Sequence, residues 1–476
     1  MQKAREHFTS RFSFIILSVS CAIGLGNIWL MPFRVGEFGG ALYIFMVAAF
    51  CFILAIPVLL MEYAVGRGSE QSVATHYHVL QPKGSKWHLA SYFCIAGNYL
   101  LLMFYVIICG FALGYFFKAI TGELVGHPDV ITSAVIAGTW GALTGNALQS
   151  ALLLVAIIVA GMGACYLGLQ KGVVRVGKYM MIIFFALLIV LLFRGITLPG
   201  AYQGLRFLFV PNLYAIQEHG FFRVVHMAMG QALFSLSVGM GSMAIFGSYF
   251  EKEKRLFKEA FTVGVLDLVV VVLCLLMIFP AAFAFGIPAA AGEGLLFLTM
   301  PNIFNHMPGS YIWSLLFYAG LTFVSFSTAM AVMENLTAIS MDKFGWTRKK
   351  SVLINLVLLI VLCMPSALTR NVLAGLSPVL FGAAGTPFFF PHIGAFFTFL
   401  VMEIVLPLGA LVYVLFCMTK RGWGWESFLA EVNTGSDGWK LPTNLRFYLT
   451  YIVPLAIAFI FVFGMLQRFV FPLFSL

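Results

Sequence analysis

The sequence predicts an all-α integral membrane protein with eleven membrane-spanning helices. Hydrophobic residues make up 61% of the 476 positions, charged residues make up 10%, and the mean hydropathy is +0.99. A soluble domain could not bury so much apolar surface, so a lipid bilayer is the predicted surrounding. Runs of about 20 apolar residues, long enough to cross the hydrocarbon core, recur along the chain. They lie near residues 13–34, 41–65, 90–117, 149–168, 174–196, 226–250, 259–286, 311–340, 351–368, 387–418 and 446–473.

Basic residues predict the orientation of these spans. With the N-terminus inside, most of the 28 Lys and Arg residues fall on segments predicted to be cytoplasmic, as expected from the positive-inside rule. An odd number of spans then places the C-terminus outside. This topology and anionic lipid on the inner face explain the net charge of +10, so nucleic acid is not a predicted partner.

Cysteine and histidine spacing argues against metal, redox or enzymatic chemistry. The eight cysteines occur singly in apolar runs, with no C-x-x-C pair, and are predicted to be small core residues. The nine histidines form no H-E-x-x-H motif. Three of them, His76, His78 and His88, lie in the predicted inner loop 66–89, where we expect them to be solvated.

The first and sixth apolar runs contain glycines and hydroxyl residues near their middles, within Ser20–Asn27 and Phe234–Gly241. Close helix packing is one explanation of these glycines. Interruptions at corresponding places five spans apart instead favour a 5+5 inverted-repeat transporter with discontinuous helices 1 and 6. The predicted units are 1–196, the first repeat; 197–225, an extracellular loop; 226–418, the second repeat; and 419–476, an inner loop and span 11.

Such breaks predict a polar ligand, because unwound peptide groups are costly in hydrocarbon unless they line a polar cavity. Freed amides at the N-terminus of a half-helix suit a carboxylate, whereas freed carbonyls suit Na⁺ or an ammonium group.

Several motifs together resemble the neurotransmitter:sodium symporter family, in its bacterial eleven-span amino-acid branch with the LeuT-type fold. They are Arg5–His7, Ala22–Asn27, Glu37–Gly40, Glu62–Arg67, Gly230–Gly241, Met307–Gly309 and Phe344–Lys350. The resemblance covers nearly the whole chain. It implies a symporter of the bacterial cytoplasmic (inner) membrane, a monomer or weak homodimer, that binds one or two Na⁺ ions and no organic cofactor.

The resemblance implies a first sodium site formed by Ala22, Asn27 and Ser235 with the substrate carboxylate. Asp267 lies in the seventh apolar run, where a carboxylate is costly and functional by default. Chloride-dependent relatives place an anion beside this site with a second-span Tyr, but the corresponding residue here is Met46. We therefore predict that Asp267 supplies the fixed negative charge, as a sodium ligand, and that chloride is not required. A protonated acid bonded to a neighbouring helix is the alternative.

The resemblance also implies a second sodium site made only of oxygen atoms, which suit a small hard cation. These are the carbonyls of Ser20, Ile23 and Val324 and the hydroxyls of Ser327 and Thr328. Ala319–Thr322 imitates the hydroxyl motif a few residues earlier, but counting from Pro308 and from Glu334 favours Ser327 and Thr328. Hydroxyls bonding back to their own helix are the alternative.

The substrate implied by the resemblance is an amino acid, because relatives that carry monoamines place an acid where this chain has Gly24. Its carboxylate would meet the amides of Leu25 and Gly26 and the hydroxyl of Tyr105. Its ammonium group would meet Ala22, Phe234, Ser235 and Ser237. Its side chain would lie among Leu101, Phe234, Met240 and Val332, near Thr328. Such an apolar wall favours hydrophobic or aromatic side chains, although ordinary core packing would also explain these residues.

Gate residues follow from the same resemblance. Arg5 and Asp342, with Tyr249 nearby, match the cytoplasmic ion-pair gate of the family. At the outer gate, Leu30 and Thr398 stand where relatives have an Arg and an acid. Loss of both charges together avoids stranding one of them, and Arg34, one turn later, is a partial substitute.

We predict import by alternating access, driven by the sodium gradient. Two alternatives remain open. The missing outer charges are compatible with a transport-inactive amino-acid sensor that uses the same pocket. A channel is less favoured, because the polar residues cluster at two breaks and do not line a continuous pore.

Overall fold

The computed structural model describes residues 10–124, 132–287, 293–376 and 389–470, and within them the chain is helical without β-strands. In chain order the helices are α1 (Arg11–Ala22), α2 (Gly26–Phe38), α3 (Ala41–Ser69), α4 (His76–Leu80), α5 (Leu89–Thr121), α6 (Ser133–Gly145), α7 (Ala147–Tyr166), α8 (Leu169–Ile196), α9 (Ala201–Phe209), α10 (Tyr214–His219), α11 (Phe221–Ser235), α12 (Ser242–Ser248), α13 (Leu256–Ala284), α14 (Leu295–Asn305), α15 (Ser310–Phe344), α16 (Arg348–Leu368), α17 (Ile393–Met418), α18 (Trp425–Val432) and α19 (Thr443–Val470). The predicted all-α class is confirmed.

Nine of the described helices are each long and apolar enough to cross a membrane: α3, α5, α7, α8, α13, α15, α16, α17 and α19. Their outward faces suit lipid. On α16, for example, Leu353, Val357 and Val361 are spaced four residues apart, so they share one face, and each is more than half exposed. A stripe of exposed aliphatic side chains on a 21-residue helix is favourable in hydrocarbon and costly in water.

The first predicted interruption lies between α1 and α2, whose axes differ by 50°. Ile23 has extended backbone angles, with φ −78° and ψ 108°, so the helix ends there. If the bent pair is one span, the described residues contain ten crossings.

The second interruption lies between α11 and α12. Helix α11 ends at Ser235, and Gly239 and Gly241 then take φ values of +104° and +71°. These left-handed angles favour glycine and end the helix. Because α12 has only seven residues, α11 and α12 are not among the nine helices, and a total of eleven spans depends on counting them as one.

Close backbone contacts fix α12 against α3. A side chain at Gly66 would lie 1.8 Å from the carbonyl oxygen of Ala244, and one at Gly247 would lie 2.4 Å from that of Tyr63. Both positions therefore require glycine, which lets the two backbones approach. The long central helix α15 packs against α1, α5, α7 and α8.

The connecting segments contain short helices that hydropathy did not reveal. The predicted extracellular loop 197–225 includes α9 and α10, and the sixth span begins at Phe221, earlier than predicted. The prediction that His76 is solvated is wrong. It is fully buried on α4, with its Nε2 atom 3.3 Å from the Tyr413 hydroxyl, because α4 packs back onto the helical core. All eight cysteines are buried and unpaired, as expected for core residues.

Candidate functional site

Asp267 joins the two interruptions through hydrogen bonds. Its carboxylate accepts from Asn27 Nδ2 at 2.7 Å and from Ser235 Oγ at 2.5 Å. Asn27 lies in the first turn of α2 after the first break, Ser235 ends α11 before the second, and Asp267 lies on α13. All three residues are buried. The sequence thus brings one carboxylate to the point where both helices lose their continuity.

These residues fit a cation. The Asn27 side-chain oxygen is buried and accepts no hydrogen bond from the described residues, which is unusual for a buried polar atom. Together with the Asp267 carboxylate and the Ser235 hydroxyl, it presents oxygen ligands only, the preferred set of a small hard cation. Ala22, the fourth residue predicted here, is the last residue of α1 and adjoins the break.

A second group of oxygens lies between α1 and α15. The Thr328 hydroxyl is 2.9 Å from the Ser20 carbonyl, 3.0 Å from the Ile23 carbonyl and 3.3 Å from the Val324 carbonyl. One hydroxyl hydrogen can serve only one of them at a time. The Ser327 hydroxyl donates to the Val324 carbonyl at 2.8 Å. The five predicted residues therefore lie together, with more acceptors than donors.

The earlier hydroxyl motif has a different environment. The Thr322 hydroxyl donates to the Tyr318 carbonyl within α15, at 2.7 Å. It satisfies its own helix, as the alternative interpretation expects of membrane hydroxyls.

The space beside the first break is bounded by Tyr105 and Thr328. The Leu25 amide donates to the Tyr105 hydroxyl at 3.2 Å. A side chain at Gly24 would lie 2.6 Å from that hydroxyl and 2.7 Å from the Thr328 hydroxyl. A side chain at Gly26 would lie 2.9 Å from the Phe234 ring. The break is thus packed on both sides by residues of the predicted substrate site.

The residues of the predicted apolar wall are largely buried. Their spacing along the helices places them on the faces that carry Tyr105 and Thr328. Leu101 lies one turn before Tyr105 on α5, and Val332 lies one turn after Thr328 on α15, so each shares the face of its partner. Leu101, Val332 and Met240 are almost fully buried.

Ser237 occupies the second break in an unusual conformation. Its φ of +51° lies in the left-handed region, which L residues rarely adopt. Its hydroxyl donates to the Cys21 carbonyl at 3.1 Å. This hydrogen bond links the second break to the first, and it uses the group that was predicted to meet the substrate's ammonium.

Glu62 is a candidate functional residue whose role the sequence did not reveal. Its buried carboxylate accepts from the amides of Gly239 at 2.5 Å, Met243 at 3.2 Å and Gly241 at 3.3 Å. These amides are freed by the second break and by the start of α12. The available signal was a carboxylate within an apolar run, which marks a functional residue in a membrane.

Asn98 is a second residue that sequence reasoning missed. From α5 it donates to the Met240 carbonyl at 2.9 Å and accepts from the Ser242 hydroxyl at 2.8 Å and from Asn335 at 2.8 Å. It thereby ties the second break to α5 and α15.

The predicted gates are only partly described. Arg5 lies outside the described residues. Asp342 accepts a hydrogen bond from the Ser72 amide at 2.7 Å, and Tyr249 is buried at the end of α12. At the other end of the molecule, Arg34 donates to the Met227 carbonyl at 3.2 Å and to Gln231 at 3.1 Å. Arg34 is therefore directed to α11, and Thr398, on α17, lies on another helix.

A sequence model described as the sodium:neurotransmitter symporter family matches residues 5–128 and 143–471. Among curated proteins, the chain is 30% identical to the uncharacterized sodium-dependent transporter YhdH of Bacillus subtilis, over 95% of this chain and 96% of that protein. It is 29% identical to the uncharacterized sodium-dependent transporter MJ1319 of Methanocaldococcus jannaschii, over 75% of this chain and 74% of that protein.

More distant relatives include the human sodium- and chloride-dependent GABA transporter 2, which is 27% identical over 73% of this chain and 63% of that protein. Among solved structures, the crystal structure of MhsT in complex with L-phenylalanine superposes with a TM-score of 0.85 and 31% identity. That match covers 97% of this chain and 100% of that one.

Proposed function

Because the chain belongs to the sodium:neurotransmitter symporter family, and is thus a sodium-dependent multi-pass membrane transporter and not an enzyme, we propose that it imports a hydrophobic or aromatic L-amino acid by alternating access. The observation that carries the proposal is the convergence of two buried oxygen clusters on the same helix break. A buried cluster that contains more hydrogen-bond acceptors than donors is stabilised by a bound cation.

Two sodium ions are the proposed cargo that drives uptake. Ala22, Asn27, Ser235 and Asp267 would hold one, and Ser20, Ile23, Val324, Ser327 and Thr328 would hold the other. A membrane potential of 100 mV supplies about 2.3 kcal/mol for each charge moved fully across. Asp267 would supply a negative charge beside the first site, so we propose that chloride is not required.

The amino-acid substrate would lie between the two breaks. Its carboxylate would face the Leu25 and Gly26 amides and the Tyr105 hydroxyl, and its ammonium group would face the carbonyls at the ends of α1 and α11. The absence of a side chain at Gly24 leaves this region without an acid, which favours a zwitterion over an amine. The buried apolar wall and the phenylalanine in MhsT support an apolar side chain.

The wider architecture is part of the proposal. Counting α1 with α2, and α11 with α12, as interrupted spans gives eleven crossings among the described residues, together with the nine long apolar helices. We propose repeats over 1–196 and 226–418, a cytoplasmic N-terminus, an external C-terminus, and a monomer or weak homodimer in the bacterial cytoplasmic membrane.

The test is a binding screen of the twenty amino acids with the purified protein in Na⁺ and in K⁺, followed by uptake into proteoliposomes. We expect aromatic and large aliphatic amino acids to bind in Na⁺ only, and uptake to persist when gluconate replaces chloride. Sodium-independent binding would contradict the proposal, and loss of uptake without chloride would contradict the role of Asp267. Binding without uptake would indicate an amino-acid sensor.

A further inference from the structure

A cluster of charged side chains joins three segments at the end of the molecule predicted to face outward. Arg370, just after α16, donates from Nη2 to Glu293 Oε2 at 2.7 Å. The same nitrogen is 3.0 Å from His392 Nε2, at the start of α17. The Arg370 guanidinium also lies 5.6 Å from the centre of the Trp140 ring, on α6. Arg370 and Glu293 are mostly shielded from solvent, with 29% and 16% of their side-chain surfaces exposed.

Glu293 precedes α14, which is held over the end of α5. The Tyr115 hydroxyl donates to the Phe297 carbonyl at 3.1 Å, and the Tyr318 hydroxyl donates to the Leu296 carbonyl at 2.8 Å. The Trp140 ring stacks on Phe297, with 4.6 Å between ring centres. Helix α14 therefore forms a cap that is fixed by aromatic contacts on one side and by the Glu293–Arg370 pair on the other.

The ion pair lines a cavity that lies outward of the candidate substrate site. Phe104 and Ile108 of α5 form one wall, on the turn next to Tyr105, and Thr398 of α17 forms another. The cavity has a volume of about 20 Å³, enough for about one water molecule. A route from outside to Tyr105 along α5 would therefore have to separate the walls of this cavity.

Position 398 is where the outer acid of related gates is missing, and its partner position carries Leu30. Arg34, the predicted partial substitute, donates to Met227 and Gln231 on α11. Glu293 and Arg370 line the same cavity as Thr398. Their contact joins a residue just before α14 to a residue just after α16.

We propose that Glu293 and Arg370 form the charged outer gate of this transporter, closing the route above Tyr105 when they are in contact and opening it when they separate. The inference rests on the proposed sodium-coupled transport, since only an alternating pathway needs such a gate. Because the pair is largely shielded, neutralising one member leaves the other charge without its partner, and this disfavours the closed form.

The experiment measures how fast a membrane-impermeant thiol reagent modifies Thr398→Cys from outside, in Na⁺ and in K⁺, with and without phenylalanine. The eight native cysteines are buried, and the protein without Thr398→Cys provides the background. We expect Glu293→Gln to raise the modification rate about fivefold or more, as a shift of the closed population toward the open one. Arg370→Gln should raise the modification rate by a similar factor. The rate of the double variant should not exceed that of either single variant, because both substitutions remove the same contact.

The matched control is Glu123→Gln, which removes an exposed ion pair with Lys118 at the same end of the molecule, and it should leave the rate unchanged. If Glu293→Gln does not reach the membrane, Arg370→Lys, which keeps the charge, should give a smaller increase. One result would overturn the gate proposal: sodium alters the modification rate in the parent protein, but neither Glu293→Gln nor Arg370→Lys changes that rate relative to the parent. A parent rate that ignores both sodium and phenylalanine would instead contradict the proposed function.

Discussion

At the candidate sodium sites, individual oxygen atoms outnumber the hydrogens available to them. Thr328 has one hydroxyl hydrogen and three carbonyl neighbours, and Asn27 presents a buried carbonyl oxygen without a donor. A protein rarely leaves buried acceptors in this state. The imbalance is informative because it is local, and because a cation would relieve it at both sites without a change of fold.

Gly24 gives the residue-scale prediction. In Gly24→Ala the new methyl group would meet the hydroxyls of Tyr105 and Thr328 at 2.6 and 2.7 Å, so one of them must move. Overpacking of this kind costs about 1–3 kcal/mol, and we expect sodium-dependent amino-acid binding to weaken about tenfold or more. Equilibrium binding to the purified protein is the measurement. Gly163→Ala, on a helix where a side chain meets nothing within 4 Å, should bind normally, and equal affinity in both variants would refute this assignment.

At the scale of helices, both interruptions are stabilised by polar groups contributed from elsewhere. Glu62 of α3 accepts hydrogen bonds from three backbone amides at and just before the start of α12. Asp267 of α13 accepts hydrogen bonds from one side chain at each break. An interrupted membrane helix must find such partners, because its freed peptide groups cannot turn to lipid.

The element-scale prediction concerns Glu62. Glu62→Gln removes the charge and puts an NH2 group, which cannot accept, in the place of one carboxylate oxygen, so the hydrogen bond from Met243 or those from Gly239 and Gly241 are lost. Hydrogen bonds to a charged group contribute about 1.5–3 kcal/mol each, so we expect a lower melting temperature in detergent and loss of sodium-dependent binding. Glu70→Gln, just after the end of the same helix, neutralises an exposed carboxylate whose pair with Lys252 is worth about 0–1 kcal/mol. Indistinguishable melting curves for the two variants would rule out this role.

Helix identity and the positions of the breaks could be predicted because they depend on local composition. The apolar runs located the long helices, and the glycines marked where α1 and α11 end. Partners brought together by tertiary packing could not be predicted in the same way. His76 was predicted to lie in a solvated loop, but α4 packs it against Tyr413, and the partners of Arg34 lie on α11. In each case the decisive neighbour lies far away in the chain.

At the scale of the whole molecule, side-chain bonds divide the helices into two connected sets. One set contains α1, α2, α3, α11, α12 and α13, which are joined through Glu62, Asp267 and the Arg11–Glu259 ion pair. Helices α5, α15 and α16 are joined through Asn98, Asn355 and the Glu334–Arg348 ion pair. Contacts between the sets include Tyr105 and Thr328 at the first break and Asn98 at the second. This arrangement suits relative motion of the two sets with the candidate site between them.

Opening of the outer end should depend on pH through His392. Burial, and secondly Arg370, lower the pKa of His392 from 6.5 to about 4. The closed form thus binds fewer protons than an open form in which the ring regains its ordinary pKa, so acidification from 6.5 toward 4 favours opening. Burial raises the pKa of Glu293, against the effect of Arg370, and its titration acts in the opposite direction. On α19, Arg468 lies over the nearby Phe390 ring.

The measurement is the modification rate of Thr398→Cys at pH 7 and pH 5.5, taken as a ratio between the parent and His392→Asn. Asparagine can still cap α17 by accepting from the Ala395 amide, but it does not titrate. Thiol reactivity, Glu293 and Arg468 are common to both proteins and cancel. We expect the parent to gain accessibility on acidification by several-fold relative to the variant, and identical pH profiles would exclude His392.

The contact between α3 and α12 limits how the half of the molecule that is predicted to face the cytoplasm can move. At Gly66 and Gly247 the backbones of α3 and α12 are in direct contact. No side chains lie between them at these positions that could deform and let α12 tilt alone. The two helices are therefore expected to move together. Movement of α12 therefore requires movement of α3, a helix of 29 residues, and a substitution along α3 is expected to affect the second break.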